Sequence, residues 1–112
     1  MLEAKIQVEI CRYLQKEGFF FHSVPNEQSH GNPVRTGQLV SMGLRPGCAD
    51  LVVWLGDGRI AYLEVKNEKG VQSDNQRRFQ ERCIAFGYPY CVVKSVEDVK
   101  CFLSGQSDGY VV

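Results

Sequence analysis

The sequence predicts an α/β protein whose central mixed sheet is flanked by helices. Apolar residues recur at helical spacing in two long segments, and short runs of β-branched and aromatic residues lie between and after them. The predicted order is α, β, β, β, α, β, followed by a short C-terminal helix. At 112 residues, the chain is expected to form one domain over residues 1–112.

The elements follow from periodicity and from helix start and stop signals. Ile6, Ile10 and Leu14 recur at intervals of four in the first helix. Ser73 and Gln76 form a capping-box pattern that opens the second long helix. The predicted elements are helices over residues 3–17 and 74–86, strands over 19–24, 51–55, 59–65 and 90–94, and a helix that follows Ser95 and ends near Gly105.

Residues 25–49 are predicted to be mostly loop, with one helical turn around residues 38–42. The segment holds four glycines and three prolines, which disfavour regular structure. A connection of this length in a compact domain is usually functional or mobile.

The composition favours a soluble protein and gives no direct sign of a partner. Thirteen basic and thirteen acidic side chains cancel, so a nucleic-acid partner would need a local basic patch. No apolar run reaches the roughly 20 residues of a membrane helix, and the N-terminus lacks signal-peptide features. We therefore expect a cytoplasmic protein without a membrane segment.

The cysteines and histidines show no metal-site spacing. The five cysteines include no C-x-x-C pair, which argues against a disulfide framework and a zinc ribbon. A zinc site that uses Cys48 and His30 remains an open alternative. His22 and His30 have no partner at a telling spacing, and both are interpreted as structural.

The two middle strands are predicted to form a β-hairpin that ends in charged residues. We expect a three-residue turn, Gly56–Gly58, in which Leu55 pairs with Arg59. This register places Asp50 opposite Glu64, with β-carbons about 5 Å apart. A two-residue turn would shift the register by one residue and send Asp50 to the opposite face.

These charged residues predict a metal site. Asp50, Glu64 and Lys66 share one face in the predicted register, and neighbouring carboxylates repel each other unless a cation offsets their charge. With the main-chain carbonyl of Val65, they form an oxygen-rich site suited to Mg²⁺ or Mn²⁺. Such a cation could acidify a water molecule, which Lys66 could orient, and neutralise charge on a phosphate. The alternative is a surface ion pair at the end of a hairpin.

Two polar residues extend the apolar stripes of the long helices. Glu3 lies in line with the buried positions of the first helix, and Gln76 lies in line with those of the second. Glu3 could instead stabilise a helix N-terminus, and Gln76 could only complete the capping box. Their position beside the charged hairpin favours a role in the same site.

An ordered set of residues runs through nearly the whole chain: Glu3, Ile6, Gln7, Val24-Pro25-Asn26, Gly43 to Gly47, Asp50, Glu64-Val65-Lys66, Gly70, Ser73 to Gln76, Gly87 and Ser95 to Asp98. This set resembles the VRR-NUC family, the virus-type replication and repair nucleases of the PD-(D/E)XK superfamily. The chain departs from the family pattern at Ala49, where the family usually has Pro. Because that Pro supplies no ligand, we expect activity to survive.

The resemblance implies a restriction-endonuclease-like core with defined site residues. Asp50 and Glu64 would bind the metal, and Lys66 would assist the attacking water. Glu3 would complete the acidic site, and Gln76 would be the Gln that the family carries on a helix.

The resemblance also implies an activity. Small stand-alone members look like homodimeric, Mg²⁺- or Mn²⁺-dependent endonucleases of branched DNA such as four-way (Holliday) junctions, without an organic cofactor, in bacterial or phage-infected cells. A two-fold dimer would offer paired sites to a junction. The alternative is a catalytically silent module that binds DNA or a protein.

DNA contact is expected from a local basic rim that positions phosphates without reading sequence. Each of these side chains could instead be a solvated surface charge. The candidates are Arg35, Arg45, Lys69, Arg77, Arg78 and Arg82.

Overall fold

The computed structural model describes residues 1–24 and 33–108. The four strands form one mixed sheet in the order β1-β2-β3-β4, in which β4 runs parallel to β3 and the other neighbours are antiparallel. The predicted α/β class is confirmed. The elements in chain order are α1 (Glu3–Lys16), β1 (Phe20–Ser23), α2 (Pro33–Ser41), β2 (Leu51–Gly56), β3 (Arg59–Val65), α3 (Asp74–Ala85), β4 (Tyr90–Val93) and α4 (Val96–Asp108).

Helix α2 is longer than the single turn predicted around residues 38–42. It starts at Pro33, whose fixed φ suits the first turn of a helix, and it ends at Ser41. Gly37 and the β-branched residues of this stretch lower its intrinsic helix propensity, so the sequence signal is weak. Residues 25–32 of the predicted loop lie outside the described residues.

Helix α4 also runs further than predicted, because it continues past Gly105 to Asp108. A glycine inside a helix costs only about 1 kcal/mol relative to alanine. That cost does not end a helix whose Val99 and Leu103 side chains are buried in the core. No helix in the described part of the chain is long and apolar enough to cross a membrane.

The hydrophobic core lies on the sheet face that α1 and α4 cover. Ile6, Ile10 and Leu14, the predicted stripe of the first helix, are all buried there. The odd-numbered side chains of β2 and β3, such as Val53 and Leu63, meet them. Burial stabilises each such side chain by about 1.5–3 kcal/mol. This packing holds the hairpin rigidly enough to position a site at its end.

The β2–β3 hairpin has a different turn from the predicted one. Asp57 and Gly58 have φ values of 53° and 74°, as the tight two-residue turn with positive φ at both positions requires. Gly56 pairs with Arg59, so the predicted pairing of Leu55 with Arg59 is wrong. The register shifts by one residue at Leu55, as in a β-bulge. This shift offsets the shorter turn, and the rest of the hairpin keeps the predicted register.

The second face of the sheet is covered by α3 over β3 and β4. Phe79 packs edge-on against Tyr62, with ring centroids 5.3 Å apart, and lies 6.2 Å from the Tyr90 ring. Over β1 and β2, Phe20 and Trp54 pack against each other at 5.2 Å and are 66% and 50% exposed. Helices therefore cover both faces as predicted, although Phe20 and Trp54 leave the second face partly exposed over β1 and β2.

Candidate active site

The end of the hairpin brings the carboxylates of Asp50 and Glu64 together. Leu51 pairs with Leu63, so the next residues outward on the two strands, Asp50 and Glu64, oppose each other. The main-chain N–H of Val65 donates a 2.7 Å hydrogen bond to Asp50 Oδ2. This bond fixes the Asp50 carboxylate against β3, on the sheet face that α3 covers.

Glu64 is a buried acid that accepts hydrogen bonds from two neighbouring side chains. The residue is 1% exposed. Gln76 Nε2 donates a 2.9 Å hydrogen bond to Glu64 Oε2, and Tyr90 Oη donates a 3.2 Å bond to Glu64 Oε1. Because burying a carboxylate without partners is costly, these donors hold it in one orientation.

The surroundings of Glu64 favour its protonated form in the absence of a cation. Burial is the largest cause, followed by the charge of Asp50 and a hydrogen bond with the Asp50 side chain. Together they raise the pKa of Glu64 from 4.5 to about 8, although the positive charge of Lys66 and the Tyr90 hydroxyl act in the opposite direction. The positive charge of Lys66 therefore does not offset the combined effect of burial and of the neighbouring Asp50 carboxylate.

Gln76 both completes the capping box and contacts the charged site, the two alternatives that its sequence position allowed. Its Oε1 accepts a 2.8 Å hydrogen bond from the Ser73 N–H, which completes the capping box of α3. Its Nε2 is thereby aimed at Glu64. Since one amide serves both partners, the cap of α3 and the orientation of Glu64 are coupled.

Tyr90 and Gln72 belong to the site although no sequence pattern predicted them. Gln72 Nε2 donates hydrogen bonds to Gln80 Oε1 at 2.7 Å and to Tyr90 Oη at 3.3 Å. Burial, followed by the charge of Glu64, raises the pKa of the Tyr90 hydroxyl well above its usual value. Tyr90 therefore stays a neutral donor. Tyr90 reaches Glu64 through the parallel β3–β4 pairing, which no local pattern predicts.

The side chains of Glu3 and Lys66 both approach Gly70. A Cβ placed on Gly70 would lie 3.2 Å from Glu3 Oε2 and 3.1 Å from Lys66 Cδ, so the absence of a side chain there lets α1 and the end of β3 approach. Lys66 lies close enough to Glu64 to lower its pKa. Glu3 does not form a three-carboxylate metal cluster with Asp50 and Glu64.

The ligands available for a metal are therefore two carboxylates and main-chain oxygen. Within residues 1–24 and 33–108, no group of three or more His, Cys, Asp or Glu side chains is arranged to hold a metal ion. For the zinc alternative, burial raises the pKa of the Cys48 thiol and so disfavours the thiolate that zinc needs. His30 lies outside the described residues.

Gly47 allows the loop before Asp50 to touch the start of α3. Its φ is +86°, and an added Cβ would lie 2.4 Å from the carbonyl carbon of Asn75 and 2.7 Å from the Gln76 nitrogen. Both the conformation and the contact exclude a side chain. Gly47 therefore keeps the loop that leads to Asp50 in contact with the helix that carries Gln76.

Replacing Gly47 with Ala is expected to lower the free energy of unfolding by about 2–4 kcal/mol, through backbone strain and the forced shift of α3. Urea denaturation measures the effect. Gly37→Ala is the matched control, because a Cβ there meets no described atom within 4 Å and should change stability by less than about 1 kcal/mol. Equal stability of the two variants would contradict the prediction.

The basic side chains of the predicted rim do not all lie together in the structure. Arg45, Arg78 and Arg82 line one groove beside α3. Arg77 is occupied within α3, where it pairs with Asp74 and donates a 2.9 Å hydrogen bond to the Gln72 carbonyl. The other two candidates are exposed elsewhere: Lys69 in the loop after β3 and Arg35 on α2.

The mixed sheet with a carboxylate pair at the end of its central hairpin defines a nuclease-like α/β domain. The VRR-NUC domain model matches residues 2–97, which is most of the chain. The chain therefore belongs to the VRR-NUC family. The search of curated proteins finds no match.

Two solved structures share the fold. A VRR_NUC domain protein superimposes with a TM-score of 0.74 at 17% sequence identity, covering 93% of this chain and 86% of that one. A second structure, a VRR_NUC domain, gives a TM-score of 0.64 at 23% identity, covering 91% of this chain and 94% of that one. At these identities the similarity shows the architecture alone.

Proposed function

We propose that this protein is a divalent-metal-dependent endonuclease that hydrolyses DNA phosphodiester bonds, with a preference for branched DNA such as four-way junctions. The observation that carries the proposal is the position of Glu64, which is 1% exposed and lies opposite Asp50, whose carboxylate the Val65 N–H holds against the same strand. Two opposed acids in a buried place repel each other, and a bound cation would offset that repulsion.

The residues present fit Mg²⁺ or Mn²⁺. Asp50 and Glu64 supply carboxylate oxygens, and the Val65 main chain, already bonded to Asp50 through its N–H, supplies a carbonyl. Such hard oxygen ligands suit these cations. When bound, the cation would supply an acidified water and neutralise negative charge on the phosphate.

The remaining residues have supporting roles in this proposal. Lys66 stabilises negative charge that develops on the phosphate and orients the attacking water. Gln76 and Tyr90 hold the Glu64 carboxylate in place through their hydrogen bonds. Glu3 approaches Gly70, as the Lys66 side chain does, and adds negative charge to the acidic site, as the family resemblance implies. The basic side chains Arg35, Arg45, Lys69 and Arg78 contact phosphates of the substrate, while Arg77 is held by Asp74 and the Gln72 carbonyl and adds positive charge to the same rim.

The preference for junctions rests on a homodimer, which the family resemblance implies. A two-fold dimer would present two sites to a branched substrate of similar symmetry. Exposed apolar side chains on and just after α2, Val34, Val40 and Met42, supply a surface for a second copy of the chain. Light scattering on the purified protein should give twice the chain mass, and a monomeric mass would contradict this part of the proposal.

Cleavage of a panel of labelled DNAs tests the proposed activity. Single-stranded, duplex, flap and four-way DNA are incubated with Mg²⁺ or Mn²⁺ and with chelator. We expect cleavage only with metal and fastest on the four-way junction. Lys66→Ala should reduce the rate by roughly 10²–10⁴-fold, as loss of a charge that stabilises the transition state does. Lys16→Ala, at the far end of α1, should leave it unchanged.

The same panel distinguishes the alternative function. A silent binding module would bind junctions without cleaving them in any metal, and Mn²⁺ would not stabilise it. Either result would overturn the proposed hydrolysis.

A further inference from the structure

A groove of about 890 Å³ lies between α3 and the loop that leads to Asp50. Its volume is near the top of the roughly 300–1,000 Å³ range of ligand sites. Tyr62 of β3 lies in its wall, and Tyr88 after α3 lies at its rim. The groove therefore accommodates an extended group larger than a single ion.

The groove is basic at its edges. Arg45 reaches it from the loop, while Arg78 and Arg82 lie one turn apart on α3. Glu81 is the one acidic side chain among the described residues that line it. Three guanidinium groups around one cleft attract a phosphate backbone, and each can also stack on a base.

The same groove presents aromatic rings to solvent. Phe86 is 71% exposed and Tyr88 is 44% exposed. Main-chain hydrogen bonds hold both at the end of α3, from the Phe86 N–H to the Arg82 carbonyl at 3.0 Å and from the Tyr88 N–H to the Cys83 carbonyl at 2.8 Å. The backbone that carries both rings is therefore fixed, and exposed rings beside arginines offer stacking surfaces for bases.

The groove leads to the carboxylate pair. Asn75 lines the groove, and the next residue, Gln76, bonds to Glu64. Tyr62 lies two residues before Glu64 on the same strand and the same face, a separation of about 7 Å. A strand that occupies the groove would therefore continue toward the carboxylates.

We propose that this groove binds unpaired nucleotides of a single DNA strand, with bases stacked on Phe86 and Tyr88 and phosphates held by the arginines. Paired bases are stacked on each other and cannot offer their faces to these rings, so the groove selects a single-stranded segment. This inference rests on the proposed function for its purpose, since it places the unpaired part of a branched substrate next to the hydrolytic site.

The test is fluorescence anisotropy of the full chain in chelator, with a labelled oligothymidine and an abasic oligomer of the same length. Phe86→Ala should weaken oligothymidine binding roughly 5- to 100-fold, as loss of one stacking ring does. It should leave binding of the abasic oligomer unchanged. Arg82→Ala should weaken both. The controls are Phe20→Ala and Arg12→Ala, each at an exposed residue outside the groove.

Each outcome separates this inference from the proposed function. Equal oligothymidine binding by the parent protein and Phe86→Ala, or equal binding of both oligomers by the parent, would overturn the groove assignment even if junctions are cleaved. Stacking-dependent binding without cleavage would support the groove and overturn the nuclease. Phe86 is exposed, so an unchanged melting temperature should confirm that its truncation leaves the fold intact.

Discussion

Replacing Asp50 with Asn is expected to slow DNA cleavage strongly and, above pH 8, where Glu64 is ionised, to raise the thermal stability of the metal-free protein. The amide keeps an oxygen that can accept the Val65 N–H but removes one of two opposed negative charges. Loss of a metal ligand removes several kcal/mol of transition-state stabilisation, so the cleavage rate should fall by about 10²–10⁴-fold.

The gain in stability has the same origin as the loss of activity. The charge of Asp50 is the second largest cause of the raised pKa of Glu64, so above pH 8, where both carboxylates of the parent protein are ionised, removing that charge relieves repulsion in a buried place. A relief of about 1 kcal/mol corresponds to a rise of roughly 4 °C in melting temperature for a chain of this size. Sites that store such repulsion commonly trade stability for activity.

Differential scanning fluorimetry in chelator at pH 9, where Glu64 is ionised, and junction cleavage in Mn²⁺ measure the two effects on one preparation. The control is Asp57→Asn, at the opposite end of the same hairpin, where Asn suits the positive φ of 53°. It should change neither quantity. An Asp50→Asn protein that melts below the parent would show that the carboxylate pair is not under repulsion.

The hairpin shows why part of the site was predictable from the sequence. Side chains alternate along a strand, so choosing the right parity was enough to place Asp50 opposite Glu64. The turn itself was wrongly predicted, and the one-residue shift at Leu55 restored the parity. Register in a hairpin is a local property, and the buried apolar face allows only one of the two choices.

The partners of Glu64 also differ in whether a local sequence pattern predicts them. Gln76 was predictable because a capping box and a helical stripe are local patterns. Tyr90 was not predictable, since its contact with Glu64 depends on β4 lying parallel to β3 in one particular register. The groove likewise depends on Gly47, which lets a loop and a helix from distant parts of the sequence touch. Non-local pairings of this kind leave no periodic signal.

The stability of the metal-free protein is expected to fall as the pH rises from about 4.5 to about 8. The folded state raises the pKa of Glu64 to about 8 from an ordinary value of 4.5, so in this range the folded chain binds a proton that the unfolded chain has released. The contribution of the protonated Glu64 is therefore fully present below pH 4.5 and is lost as the pH rises through 8. Its size is on the order of a few kcal/mol.

Urea denaturation in chelator at several pH values across this interval measures the slope, and Glu64→Gln isolates its source. The variant has no carboxyl proton to lose, so it should lose most of the slope. Its NH2 group cannot accept the hydrogen bond that Gln76 or Tyr90 donates to Glu64, so its stability should be lower by a roughly constant offset of about 1–3 kcal/mol at every pH. In the parent protein, Mg²⁺ or Mn²⁺ should restore stability more at pH 8 than at pH 5, because the cation replaces the proton between the two acids. A parent protein whose stability is flat across this range would show that Glu64 does not hold the proton. A metal response that is equal at both pH values would show that the carboxylates do not share a cation.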